Sequence, residues 1–197
     1  MNVSEQGTKS KKICHQTIPR TLIFLTTGDP ARGKQKVLLL KGSPTKRLWA
    51  NRYNGLGGHI EAHEDIHSAA LREVAEESGL RISKLDLRAV IHIETSHDDT
   101  GPPKPGIIIF TFRGHLSEQE YAEQIPSTSA EGTPEWISVD QLANYPLVDD
   151  LYELIPRVLT AGPLAGIPII YGHYSPLANG TMHYRFGDTN HIPTTKE

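Results

Sequence analysis

The chain has 197 residues, 37% of them hydrophobic, enough to bury the core of one domain rather than two. Lys and Arg number 20 against 23 Asp and Glu, a formal charge of −3, which gives no general attraction for DNA, RNA or an anionic membrane. The single cysteine, Cys14, excludes an internal disulfide framework, and its polar surroundings argue against a catalytic nucleophile.

The opening MNVSEQGTKSKKICHQ has lysines but no apolar stretch, and no later run is long enough to cross a bilayer. A soluble, unprocessed, cytoplasmic protein is expected. Residues 1–18 predict a flexible arm and residues 188–197 a flexible tail, with one domain over 19–187. Arg20–Thr27 and Gln35–Lys41 are β-rich runs joined by the turn-forming GDPARGK. Leu48–Tyr53 reads as a short strand leading into a turn with Gly55, Gly57 and Gly58. A helix follows from Asp65, a suitable N-cap, through Ser78, with Gly79 suited to the left-handed residue that ends it. Leu85–Thr95 and Gly106–Leu116 are strands divided by SHDDTGPPKP, a loop placed to border a cleft. Trp136–Val139 predicts a short strand and Asp140–Asn144 a helical turn. Asp149–Thr160 predicts an amphipathic helix with Leu151, Leu154, Ile155 and Val158 as its apolar stripe, kinked or shortened at Pro156. Ile169–Tyr174 and Thr181–Phe186 form a hairpin around SPLANG. Strands interleaved with two substantial helices define an α+β fold, an αβα sandwich with a central mixed sheet.

The chemistry concentrates at residues 58–80. At about 100° per residue, Glu73, Glu76 and Glu77 fall within an arc of roughly 100°, apart from the apolar arc of Ala70, Leu71, Val74 and Ala75. The carboxylates are therefore expected to face outward together, at a repulsive cost of a few tenths of a kcal/mol per pair unless a cation binds. Hard oxygen donors suit Mg²⁺, with Mn²⁺ the alternative. Gly55, Gly57 and Gly58 allow backbone conformations closed to other residues and close approach to phosphate. Arg72 projects away from the carboxylate arc, positioned to pair with Glu64 or Glu76. His59, His63 and His67 recur every fourth residue, but the glycines oppose the continuous helix that a zinc stripe would need.

Gly58, five residues, Glu64, seven residues and Arg72-Glu73-Val74-Ala75-Glu76-Glu77-Ser78-Gly79-Leu80 satisfy every fixed position of the Nudix hydrolase pattern, which the chain thus resembles. His63 departs from the family's usual Gly. The resemblance implies a central mixed sheet between helices and a loop–helix–loop unit holding divalent cations against a pyrophosphate. EGTPEW resembles the segment where a glutamate on a mobile loop reaches the metals, which selects Glu131 over Glu135, Glu118 and Glu120. Tyr53-Asn54-Gly55-Leu56-Gly57-Gly58 and Leu147-Val148-Asp149-Asp150 resemble the MutT-type branch that hydrolyses oxidised purine nucleotides such as 8-oxo-dGTP. There Asn54 and the two aspartates would read the base, the aspartates sharing a proton; Asp149 and Asp150 also suit a helix start.

The implied reaction converts a nucleoside triphosphate to a monophosphate and pyrophosphate. Mg²⁺ would be held by Glu73, Glu76, Glu77, Glu131 and the Gly58 carbonyl, with Gly57 and Gly58 near the phosphates. Arg72 and Glu64 support the catalytic glutamates, and the sequence leaves open whether Glu76 or Glu73 takes the water's proton. ADP-ribose, a dinucleoside polyphosphate or a modified pyrimidine triphosphate would use the same residues. A catalytically silent nucleotide sensor is the reading from another class. Monomer and homodimer are equally compatible with the chain.

Overall fold

The computed structural model describes residues 15–95, 104–160, 169–177 and 179–188. Most of the expected arm and tail, and all but two residues of the SHDDTGPPKP loop, lie outside the described residues. Among the described residues, apolar and β-branched runs form eight strands: β1 (Thr17–Thr27), β2 (Lys36–Gly42), β3 (Tyr53–Asn54), β4 (Asp86–Ile93), β5 (Gly106–His115), β6 (Gly132–Ser138), β7 (Ile170–Pro176) and β8 (Met182–Asp188). They make one mixed sheet in the order β3-β2-β1-β5-β4-β7-β8, with β6 on the far side of β2. The central pairing is parallel, β1 on β5, and β4 on β7 is parallel too.

Helices α1 (Ile66–Ser78) and α3 (Leu151–Leu159) cover opposite faces, and the strands alternate accordingly. Leu22 and Phe24 of β1 join Leu154, Ile155 and Val158 of α3 in one core. Ile23 and Leu25 join Ala70 and Val74 of α1 in the other. Because successive strand residues point to opposite faces, a strand buried on both sides must be apolar at nearly every position, as Leu22–Leu25 is. The expected αβα sandwich is therefore present.

The site is positioned by a split in this sheet. β1 and β2 pair only from Leu25↔Leu38 to Thr27↔Lys36. Beyond that point β2 pairs with β3 on that side, while β6 pairs along its whole length on the other. The glycine segment runs along the vacated edge of β1, with Ile23 N–H donating to Leu56 O (2.7 Å) and Thr21 N–H to Gly58 O (2.9 Å).

Several boundaries differ from expectation for physical reasons. Leu48–Arg52 is not a strand, because Trp49 and Asn51 have φ of 58° and 60° in the left-handed region, so only Tyr53–Asn54 pairs. β1 begins at Thr17, inside the expected arm, since Gly106 onward offers it a parallel partner. β6 starts at Gly132 rather than Trp136; as β2 is its partner and its other side is an edge, Pro134 can sit within it. Helix α2 (Glu118–Glu123) was not expected, although Ser117-Glu118-Gln119-Glu120 forms a capping box with both hydrogen bonds in place. α3 spans Leu151–Leu159 around Pro156, shorter than the periodicity suggested.

Candidate active site

Helix α1 has the expected ends. Asp65 accepts the N–H groups of His67 and Ser68, and Gly79 closes the helix at φ 72° with its N–H on Ala75 O. Its rotation differs from the apolar arc read in sequence. The buried face is Ala69, Ala70, Glu73, Val74, Glu77 and Ser78, while Ala75 is exposed. The three box glutamates therefore do not all face outward: Glu73 and Glu77 are 9% and 6% exposed, and Glu76 alone points to solvent.

Burial of two carboxylates needs compensation, and the glycine segment and Arg72 supply it. Gly57 adopts φ 137°, and a Cβ there would lie 2.3 Å from Thr21 O. This conformation aims its N–H at Glu77 Oε2, 2.8 Å away. Gly58 is required for space: a Cβ would come 2.6 Å from Glu73 Oε1. Arg72 gathers the remaining acids. Its guanidinium donates to both oxygens of Glu64 (2.7 and 3.1 Å), to Glu73 (3.0 Å), to Glu76 (2.9 Å) and to the His59 carbonyl (3.0 Å). The expected partners Glu64 and Glu76 are both present, and Glu73 is an addition.

These contacts set the acidities. Arg72's hydrogen bonds, helped by Glu61 N–H, hold Glu64 down at about 2. Burial pushes Glu73 up against the opposing pull of Arg72. Burial pushes Glu77 up to about 7, although Gly57 N–H and the Lys46 ammonium pull the other way and Glu73 and Glu131 add to the rise. A buried carboxyl with so raised a pKa is an anion site short of positive charge, and its oxygen donors suit a hard divalent ion. Among the described residues, no three His, Cys, Asp or Glu converge as a ready-made metal cage. Each box acid is already engaged: Glu73 and Glu76 by Arg72, Glu77 by Gly57, and the Gly58 carbonyl by Thr21 N–H. The carbonyl retains a second lone pair. His59 lies in the segment along β1 and His67 in α1, so the histidines share no helical stripe.

Glu131 precedes β6 and pairs with Lys46 Nζ at 2.7 Å. Its competitors have other work: Glu135 accepts the Tyr53 hydroxyl at 2.7 Å, and Glu120 caps α2.

The remaining acids lie on a second wall. Tyr53 N–H donates to Pro146 O and Val148 N–H to Tyr53 O, both at 2.9 Å, which seats the segment before Asp149 beside β3. Asp149 pairs with Arg52 at the surface. Asp150 turns instead to the Tyr174 hydroxyl at 3.1 Å, and burial raises its pKa. The aspartates thus take separate partners. Asp150 makes no side-chain cap on α3. Asn54 turns its Oδ1 back onto Gly55 N–H at 2.9 Å. Sequence reasoning missed Lys46, Arg52 and Tyr174, each of which engages a predicted acid from a distant segment.

Fold and site together define a mixed-sheet domain with an acidic loop–helix centre. The NUDIX domain family model matches residues 19–158, and the chain belongs to that family of hydrolases. It is 33% identical over 108 residues to the mouse oxidized purine nucleoside triphosphate hydrolase, covering 55% of this chain and 62% of that protein. The zebrafish protein of the same name is 31% identical over 111 residues, covering 53% and 60%. The chain thus spans about three fifths of the curated relatives it matches. A MutT protein from Bacillus halodurans shares the fold with TM-score 0.62 and 20% identity, covering 86% of this chain and 97% of that one. The NUDIX domain of Shewanella oneidensis NrtR, solved with ADP ribose, gives TM-score 0.59 at 15% identity, covering 80% and 96%. No helix among the described residues is long and apolar enough to cross a membrane.

Proposed function

We propose that this domain hydrolyses a nucleoside triphosphate to the monophosphate and pyrophosphate with a divalent cation, and that its substrate is an oxidised purine nucleotide such as 8-oxo-dGTP. The observation that carries the chemistry is the pair of buried carboxylates, Glu73 and Glu77, held beneath the glycine segment beside the Arg72 network. The likeness to two oxidized purine nucleoside triphosphate hydrolases supports the substrate class.

Glu73, Glu76, Glu77, Glu131 and the Gly58 carbonyl would hold Mg²⁺, or Mn²⁺ in its place. Such an ion, when bound, neutralises polyphosphate charge and lowers the pKa of water. Arg72 fixes Glu64, Glu73 and Glu76 relative to one another, so that the acids keep their positions despite mutual repulsion. Glu76 is the better placed proton acceptor for the attacking water: its side chain is 60% exposed, whereas Glu73 is packed on Gly58. Gly57 and Gly58 keep the backbone low enough for phosphate oxygens to approach. On the second wall, Asp150, with its raised pKa, is predisposed to donate to a base, and Asp149, paired with Arg52, to accept. Asn54 supplies an amide that can do both.

A panel of 8-oxo-dGTP, dGTP, a modified pyrimidine triphosphate, ADP-ribose and a dinucleoside polyphosphate, compared by kcat/KM with Mg²⁺, tests this assignment. The oxidised purine is expected to lead. Preference for ADP-ribose or the dinucleotide would move the substrate class, and binding without turnover of any would make the domain a sensor.

A further inference from the structure

The β2–β3 loop places a cation among the acids. Lys46 Nζ lies 2.7 Å from Glu131 Oε2, the lysine half-buried at 34% exposure and the glutamate exposed at 55%. The contact is not a chance meeting of two free side chains. Ser43 N–H donates to the Glu131 carbonyl at 3.2 Å, and Lys46 N–H donates to Ser43 O at 3.0 Å, so the two loops are joined through their backbones as well. The β2–β3 loop is itself tied across its base by Gly42 N–H to Arg52 O and Asn51 N–H to Gly42 O, both at 3.0 Å. β6, which Glu131 immediately precedes, packs against α1, the helix of the box, and the charges of Lys46 and Glu131 both reach the buried Glu77 with opposite effect. The ammonium therefore sits at the rim of the box rather than in open solvent.

We propose that Lys46 is the resident counter-ion of Glu131, holding that carboxylate beside the box and competing with the divalent cation for it. This rests on the proposed role of Glu131 as a metal ligand. A carboxylate offers the same oxygens to an ammonium and to a divalent ion, and the doubly charged ion, bound also by Glu73 and Glu77, wins when its concentration suffices. Until then Lys46 keeps Glu131 ordered and neutralised. Lys46 is thus a positioning residue that tunes the cation concentration at which the site assembles.

Mn²⁺ binding to the full chain without nucleotide, read from the paramagnetic resonance of the free ion, tests the competition. Lys46→Met is expected to bind Mn²⁺ about two- to fivefold more tightly, the scale of a partly exposed ion pair. Lys46→Arg, which keeps the charge, should match the wild type, and Glu131→Gln should bind more weakly. On the Glu131→Gln background, Lys46→Met should give no gain. Unchanged or weaker binding by Lys46→Met, with Glu131→Gln still impaired, would overturn the competition and leave the metal site standing. A gain that persists without the Glu131 carboxylate would also overturn it, since general repulsion would then suffice. Wild-type binding by Glu131→Gln would remove Glu131 as a ligand and with it both statements.

Discussion

The two acidic walls of the molecule are built in opposite ways. On the box wall, one guanidinium holds three carboxylates and a carbonyl, all from residues 59–76. On the wall beside β3, Asp149 and Asp150 each depend on a partner far along the chain: Arg52, 97 residues away, and Tyr174, 24 residues away. The first wall is a local device that travels with its motif. The second exists only when β3, the start of α3 and β7 are all in place.

Chemistry should therefore fail most completely on the first wall. Glu77→Gln is expected to lower kcat for any accepted nucleotide by at least about a hundredfold, because a buried, preorganised charge is removed while the amide keeps its size. Near-normal turnover in steady-state assays would break the comparison. Arg72→Ala leaves Glu64, Glu73 and Glu76 without their common partner and should cost about 2–3 kcal/mol in urea unfolding. Arg52→Ala, on the second wall, removes a surface pair and should cost under about 1 kcal/mol.

The pH dependence of stability sharpens the contrast within the box wall. Burial raises the Glu77 pKa to about 7 in the fold against 4.5 in the unfolded chain, so the folded state binds its proton more tightly. Its contribution is fully present below pH 4.5 and is lost as pH rises through 7. Glu64, held at about 2, contributes with the opposite sign, present above pH 4.5 and lost as pH falls through 2. With a chelator present, thermal melts should show the wild type losing stability from pH 5 to pH 8, on the order of 1–3 kcal/mol. Glu77→Gln should flatten that decline. An equal slope in both proteins would show that burial of Glu77 does not control it.

The smallest effect on activity is expected at Asn54. Asn54→Ala should reduce the kcat/KM ratio of oxidised to normal purine triphosphate by roughly tenfold, with less effect on phosphate chemistry. Equal loss on both substrates would remove Asn54 from base reading.

The difference between the walls also explains what the sequence made legible. The helix over Ile66–Ser78 was readable to the residue because Asp65 and Gly79 act on their immediate neighbours. The sheet's strands were readable from their apolar runs, although their pairing was not. The rotation of α1 was misjudged, because helical periodicity alone assigns charged residues to solvent. Only the glycine segment, 20 residues from Glu77 in sequence, reveals that an N–H awaits that carboxylate. Leu48–Arg52 was misread because apolar composition carries no sign of the left-handed backbone at Trp49 and Asn51. Lys46 and Arg52 gave no signal at all, since a lone cation in a loop acquires meaning only from the acid that folding brings to it.

The most direct measurement is a calorimetric titration of Mg²⁺ into the full chain with a nucleoside monophosphate present, comparing the wild type with Glu77→Gln. Saturable binding by the wild type, weakened at least about tenfold in the variant, is the predicted result. No binding by the wild type, or equal binding by both proteins, would contradict the claim that the buried carboxylates beneath the glycine segment hold the ion on which hydrolysis depends.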